Sequence, residues 1–113
     1  MLTNFAELHT ARVYFKGNDG DNKIRPVLII DDSEDDLITI AEITSEEPKN
    51  PPKYFDNFKV EITGWLAAGL DKRSWVKCHE STVHRVPKDR VVKYIGVVED
   101  NVIIEVLGKI TNK

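Results

Sequence analysis

The sequence predicts a mainly β protein, folded as a small barrel or sandwich with minor helices. Short segments of alternating or continuous apolar residues recur along the chain, and segments rich in Gly, Pro, Asn and Asp separate them. Only the C-terminal stretch has long helical spacing. At 113 residues the chain should form one domain, residues 1–113, with a core that needs no disulfide or metal.

Six segments predict the strands. "ARVYF" places Ala11, Val13 and Phe15 on one face, and "FKVEIT" alternates in the same way. "RPVLII" is a continuous apolar run, as expected of a strand covered on both faces, with Pro26 at its start. "LITIAEIT" and "VVKYIGVV" are also β-rich, whereas "SWVKCHESTVHRV" is either one long strand or two strands joined by a bulge.

The remaining segments predict the connections and helices. "KGNDGDN" should be a mobile loop, "DDSEDD" a hairpin tip and "SEEPKNPPKYFD" irregular. "TGWLAAGL" suggests a two-turn helix from Thr63 to Gly69, with Trp65 in the core. "DNVIIEVLGKI" gives a helical apolar face with Asp100 as its cap.

Composition limits the class of protein. The hydrophobic share is 41% and the charged share 31%, which is typical of a globular protein. We expect no membrane span and no signal peptide, and the single Cys78 cannot form an internal disulfide, so the cytoplasm is the expected compartment. Residues 1–57 carry a net charge of −6 and residues 58–113 a net charge of +3. A basic second half could meet an anionic ligand through Lys72, Arg73, Lys77, Arg85 and Lys88.

Two patterns raise metal or acid–base chemistry. Asp31, Ser33, Asp35 and Glu42 have part of the spacing of a calcium loop, but Asp36 stands where the turn needs glycine, so a solvated hairpin is favoured.

His79 and His84 could act as acid and base on RNA, or His79 could ligate zinc with Cys78. Two further zinc ligands are missing, and a polar strand surface is the simpler interpretation. Trp75 is open to either a core or a base-stacking role.

A third pattern joins Arg25 to Thr44. If "RPVLII" and "LITIAEIT" pair around "DDSEDD", both residues fall at the same end of the hairpin. A guanidinium beside a hydroxyl can bind a phosphate group, although an ordinary strand-edge arginine remains open from this spacing alone.

The order and spacing of "KIRPVLII", "TIAEITS", "GLDKRSWVK" and "VHRVPKDRVVKYIGVV" resemble the PemK/MazF-like toxins of type II toxin–antitoxin systems. The resemblance covers about residues 11–98 and implies an SH3-like β-barrel, the CcdB/PemK-like toxin fold. It also implies a cytoplasmic endoribonuclease that cuts single-stranded RNA, including mRNA, with no cofactor or metal. The products would carry a 2′,3′-cyclic phosphate and a 5′-hydroxyl. A homodimer and a neutralising antitoxin are the expected partners.

The resemblance assigns roles to single residues. Arg25 and Thr44 would be catalytic, with Ser45 helping Thr44 to hold the phosphate. Beside these roles, we expect Lys23, Ser45, Lys77 and His84 to contact RNA. The "KGNDGDN" loop could fold over the substrate.

Three alternatives stay open. The same fold hosts non-catalytic toxins that bind a topoisomerase, and a degenerate regulatory homologue is also possible. A nuclease that uses His79 and His84 is the third.

Overall fold

The computed structural model describes residues 6–14 and 22–111. Its strands are Glu7–Tyr14 (β1), Asn22–Asp31 (β2), Leu37–Thr44 (β3), Lys59–Glu61 (β4), Trp75–Lys77 (β5), Val83–Pro87 (β6) and Val91–Val97 (β7). A helix, Asp100–Thr111 (α1), closes the described part, and short 3₁₀ turns cover Tyr54–Phe58, Glu80–Thr82 and Lys88–Arg90. The predicted loop "KGNDGDN" and Phe15 lie outside the described residues, apart from the backbone of Asn22.

The strands form an antiparallel sheet in the order β4-β5-β3-β2-β1-β7. β3 is the central element, because β2 pairs with one of its edges while β6 and then β5 pair with the other. Within the described ranges no ladder joins β4 to β7, so the sheet curves without closing through strand pairs. This mainly β architecture confirms the predicted fold class, and it also resolves "SWVKCHESTVHRV" into two strands.

The continuous apolar run of β2 is buried on both faces, as predicted. Val27, Leu28 and Ile29 have no exposed surface. Leu28 belongs to a core that includes the apolar face of α1, whereas Val27 and Ile29 belong to a second core with β1 and β3. Successive residues of this run therefore pack into two different cores, which explains why residues 27–29 include no polar side chain.

Pro26 lies inside β2, opposite Thr10 of β1, and the prediction that it begins the strand was wrong. The ladder between β2 and β3 starts only at Val27, so residues 22–26 extend β2 along β1 alone. A proline is tolerated where one edge of the strand has no ladder partner.

Residues 63–69 form hydrogen-bonded turns, and the predicted two-turn helix is absent there. Gly64, at the start of the predicted helix, has a φ of 71°, a left-handed conformation that interrupts a helix, whereas Gly69 with a φ of 101° ends the turns. The turns pack closely on β7, because a Cβ atom on Gly96 would lie 1.9 Å from the carbonyl oxygen of Ala68. Trp65 is half-buried against the first core, so its predicted core contact is real but incomplete.

The C-terminal helix is confirmed, although Asp100 lies in its first turn rather than before it. Val102, Ile103 and Val106 are buried in the first core. Among the described residues, no helix combines the length and apolar character that crossing a membrane requires.

Candidate active site

The β2–β3 hairpin brings Arg25 and Thr44 together. Val27 pairs with Glu42, and continuing this register by two residues places Arg25 opposite Thr44. Both residues line an open cavity of about 290 Å³, together with Ser45. Val27 and Glu42 form a ladder pair and so point to the same face, and Arg25 and Thr44 each lie two residues beyond them, so the period of two keeps both on that face.

Thr44 has a defined hydrogen-bond role. Its Oγ1 atom accepts a hydrogen bond from the backbone N–H of Glu46 at 3.0 Å. This bond fixes the rotamer at the point where β3 ends, and it uses the oxygen as an acceptor. The hydroxyl proton can therefore be donated to a ligand in the cavity.

The loop before β5 forms another wall of this cavity, which includes Lys72 and Ser74. Thr44 pairs with Trp75, so the loop is drawn to the end of β3. Ser74 is buried, and its hydroxyl donates to the carbonyl oxygen of Lys72 at 2.9 Å. From the sequence, Lys72 was noted only as one of the basic residues of the second half, and Ser74 was not noted at all. The pairing of β3 with β5 brings these residues to the cavity, and no local sequence pattern indicates that pairing.

Glu42 is a charged residue that sequence reasoning did not connect to RNA binding. Its carboxylate lies 2.6 Å from Nε2 of His84 and 3.5 Å from Nζ of Lys77. Burial acts to raise the pKa of Glu42, but the His84 hydrogen bond and the Lys77 charge outweigh it, so the pKa lies below its ordinary value. Two residues predicted to contact RNA therefore share one anionic partner.

The predicted site residues do not all converge. Lys77 lines a second cavity of about 390 Å³ that also includes Thr44. His84 lines a third, of about 50 Å³, with Arg12 and Arg90. Lys23 is exposed on β2, opposite Val13, and it does not line the cavity that contains Arg25.

The histidine nuclease and the metal sites considered from the sequence find little support in this geometry. His79 and His84 line different cavities, so they do not face one substrate position. Burial raises the pKa of the Cys78 thiol to about 12. In the part of the chain that the structure describes, no three His, Cys, Asp or Glu side chains gather in a metal-binding arrangement. Glu42, the last residue of the calcium-loop spacing, is held by Lys77 and His84.

Most of the basic excess of the second half is neutralised by acidic residues. Arg73 pairs with Glu47 and Glu61, and Arg85 pairs with Glu34. Lys88 pairs with Asp32 at 2.9 Å. The predicted basic surface is therefore smaller than the residue count implies.

The fold and the cavity define the chain as a small mainly β protein with an arginine–hydroxyl site at the end of a hairpin. Residues 8–112 match the family model described as PemK-like, MazF-like toxin of type II toxin–antitoxin system. The chain belongs to this family.

Two solved structures are similar in fold. The Mycobacterium tuberculosis toxin MazF-mt6 gives a TM-score of 0.68 at 22% identity, over 94% of this chain and 93% of that chain. MazF from Deinococcus radiodurans gives 0.65 at 18% identity, over 99% of this chain and 96% of that chain. The comparison with curated proteins yields no significant match.

Proposed function

We propose that this toxin is an endoribonuclease that cleaves single-stranded RNA, mRNA included, without a metal ion. The observation that supports it most directly is that Arg25 and Thr44 line one open cavity, which is large enough to admit a phosphodiester. Ser45 and Lys72 in the same lining add a hydroxyl and a positive charge. This donor set suits a phosphate, since each donor can meet a different oxygen.

The reaction would be a transesterification within the RNA. The 2′-oxygen attacks the adjacent phosphorus, the bond to the 5′-oxygen breaks, and the 2′ proton is lost while the leaving oxygen gains a proton. The products are a 2′,3′-cyclic phosphate and a 5′-hydroxyl. Arg25 would stabilise the charge that develops on the phosphoryl oxygens, and the Thr44 hydroxyl would donate to another oxygen. Lys23, Ser45, Lys77 and His84 are proposed RNA contacts, and a homodimer and an antitoxin are the proposed partners.

A cleavage assay in EDTA tests this function. The wild-type protein should cut single-stranded RNA and leave the two end groups named above, as read by mass spectrometry. Arg25→Ala should lose roughly 10²–10³-fold in rate, the usual loss when one charge-stabilising donor is removed. Arg85→Ala is the matched control, because Arg85 pairs with Glu34 and does not line the cavity. The nuclease assignment is wrong if the wild-type protein cuts no single-stranded RNA and the Arg25→Ala variant still arrests the growth of cells that express it.

A further inference from the structure

The 3₁₀ turn Tyr54–Phe58, called here the aromatic turn, exposes two large rings. Tyr54 is 63% exposed and Phe55 is 57% exposed. Both lie edge-on to the imidazole of His79, at centroid distances of 5.8 and 4.9 Å. Phe58 is half-buried and completes the group at 4.8 Å from the same imidazole. Rings this exposed contribute little to the core, although they are held in a defined arrangement.

The aromatic turn is rigidly fixed. Oδ2 of Asp56 accepts hydrogen bonds from the backbone N–H groups of Lys49 and Lys53 at 3.0 and 2.9 Å. Oδ1 of Asp56 lies 3.0 Å from Nζ of Lys59, whose side chain is only 7% exposed. Because both partners of this ion pair are shielded from water, the turn is anchored to β4.

The His79 ring is also fixed. Its Nδ1 accepts a hydrogen bond from the backbone N–H of Ser81 at 3.0 Å. In the neutral imidazole the proton must then reside on Nε2, which becomes a donor. The ring edge can therefore offer a hydrogen bond to an acceptor while its neighbours offer apolar faces.

The aromatic turn borders the proposed phosphate site. Phe55 and His79 line the cavity of about 390 Å³ that also contains Thr44, and Thr44 lines the Arg25 cavity as well. The two cavities therefore adjoin at Thr44. The second lining carries two acidic residues, Asp56 and Glu46, which both lie within 4 Å of Lys59 Nζ, and two further lysines, Lys53 and Lys77. Lys53 is exposed in this lining, and its positive charge favours the binding of an anionic RNA strand.

We propose that Phe55 and His79 form a binding subsite for the nucleobase of a nucleotide that adjoins the scissile phosphate. This inference rests on the proposed function. Unstacked bases of single-stranded RNA bind on aromatic faces, and every base has such a face. The subsite therefore supplies affinity and alignment of the phosphate, with Nε2–H of His79 available to an acceptor on the base edge.

The test uses an RNA oligonucleotide that contains the cleavage sequence found in the reaction products, with 2′-deoxyribose at the scissile nucleotide to block the reaction. Phe55→Ala should raise the Kd of the protein for this oligonucleotide by roughly 5- to 100-fold, whereas Phe55→Trp should bind it almost as tightly as wild type. Leu66→Ala is the matched control, because Leu66 is 71% exposed and lies in neither cavity. Circular dichroism should show the three variants folded alike.

An abasic scan identifies the base that is bound. Removing the base at one position next to the scissile phosphate should weaken wild-type binding and leave Phe55→Ala binding unchanged. The subsite is disproved if every abasic oligonucleotide binds both proteins with the same loss of affinity, or if Phe55→Ala binds RNA like wild type. Either result would leave an antitoxin or a second copy of the chain as the partner of these rings. If cleavage depends on Arg25 but Phe55→Ala leaves RNA binding unchanged, only the subsite is disproved and the proposed function stands. If the wild-type protein neither cleaves nor binds RNA, both the proposed function and the subsite are disproved.

Discussion

The carboxylate of Glu42 and the imidazole of His84 are joined by a 2.6 Å contact across β3 and β6, although 42 residues separate them. The ladder pairs Ile40 with His84, so the Glu42 side chain reaches one row along the sheet. Lys77 approaches the same carboxylate from β5 at 3.5 Å. Glu42 therefore binds two of the residues that were predicted to contact RNA, and it offsets the charge of Lys77.

Replacing Glu42 by Gln should tighten RNA binding. Lys77 would lose its anionic partner and become available to a phosphate, so the Kd for non-cleavable RNA should fall several-fold at low salt. The slope of log K against log salt should steepen by about 0.7 for one additional phosphate contact on a single strand. Fluorescence anisotropy over a salt series measures both quantities.

Glu34→Gln is the control for net charge, because Glu34 pairs with Arg85 at the hairpin tip. If both variants shift the Kd and the slope equally, Glu42 acts only through the total charge of the protein.

Substitutions of Thr44 should separate its hydroxyl from its shape. Thr44→Val keeps the branched side chain but removes the donor, and we expect a rate loss of about 10²-fold or more. Thr44→Ser keeps the hydroxyl and should retain most of the activity. Single-turnover cleavage with excess enzyme measures the chemical step. Equal rates for the Val and Ser variants would exclude a role for the hydroxyl.

Asp56 should make stability depend on pH in the acid range. Hydrogen bonds from the Lys49 and Lys53 backbone amides, followed by the contact with Lys59, lower the pKa of Asp56 from 3.8 to about 2. A carboxyl with a lowered folded pKa stabilises the protein fully above the unfolded value near 3.8, and this contribution is lost as the pH falls through about 2.

Thermal unfolding of Asp56→Asn between pH 2 and 7 checks this expectation. The variant should have a lower Tm than wild type near pH 6, and the difference should shrink steadily below pH 4. Asp89→Asn, which alters an exposed aspartate, should unfold like wild type at neutral pH. A Tm difference for Asp56→Asn that is independent of pH would show that its carboxylate charge contributes nothing.

Gly96 should tolerate no side chain. A Cβ atom there would lie 1.9 Å from the carbonyl oxygen of Ala68, so Gly96→Ala must separate β7 from residues 63–69. We expect destabilisation of about 1–3 kcal/mol or more, measured by urea unfolding.

Gly108→Ala is the matched control, because a Cβ atom at Gly108 meets nothing within 4 Å in helix α1. It should stabilise the protein by about 0.5–1 kcal/mol through helix propensity. Similar unfolding midpoints for the two variants would contradict the close packing at Gly96.

Much of the fold could be predicted because its signals are local. The buried run around Leu28, the alternation of Ala11 with Val13 and the helical spacing of Val102 with Val106 each act within one element. The segment 63–69 was misjudged as a helix, since its turns are set by close packing on Gly96 as well as by local propensity. The single domain over residues 1–113, the homodimer and a gating role for the residue 16–22 loop stay predictions.

The sequence by itself determined the hairpin and so the meeting of Arg25 with Thr44, because a short turn fixes which residues face each other across it. Only the tertiary structure decided what surrounds that pair. The wall from Lys72 and Ser74, the position of Phe55 beside Thr44 and the capture of Lys77 by Glu42 all depend on contacts between distant segments. Such contacts are set by how strands from distant parts of the chain pair around β3, which the periodicity of one segment does not specify.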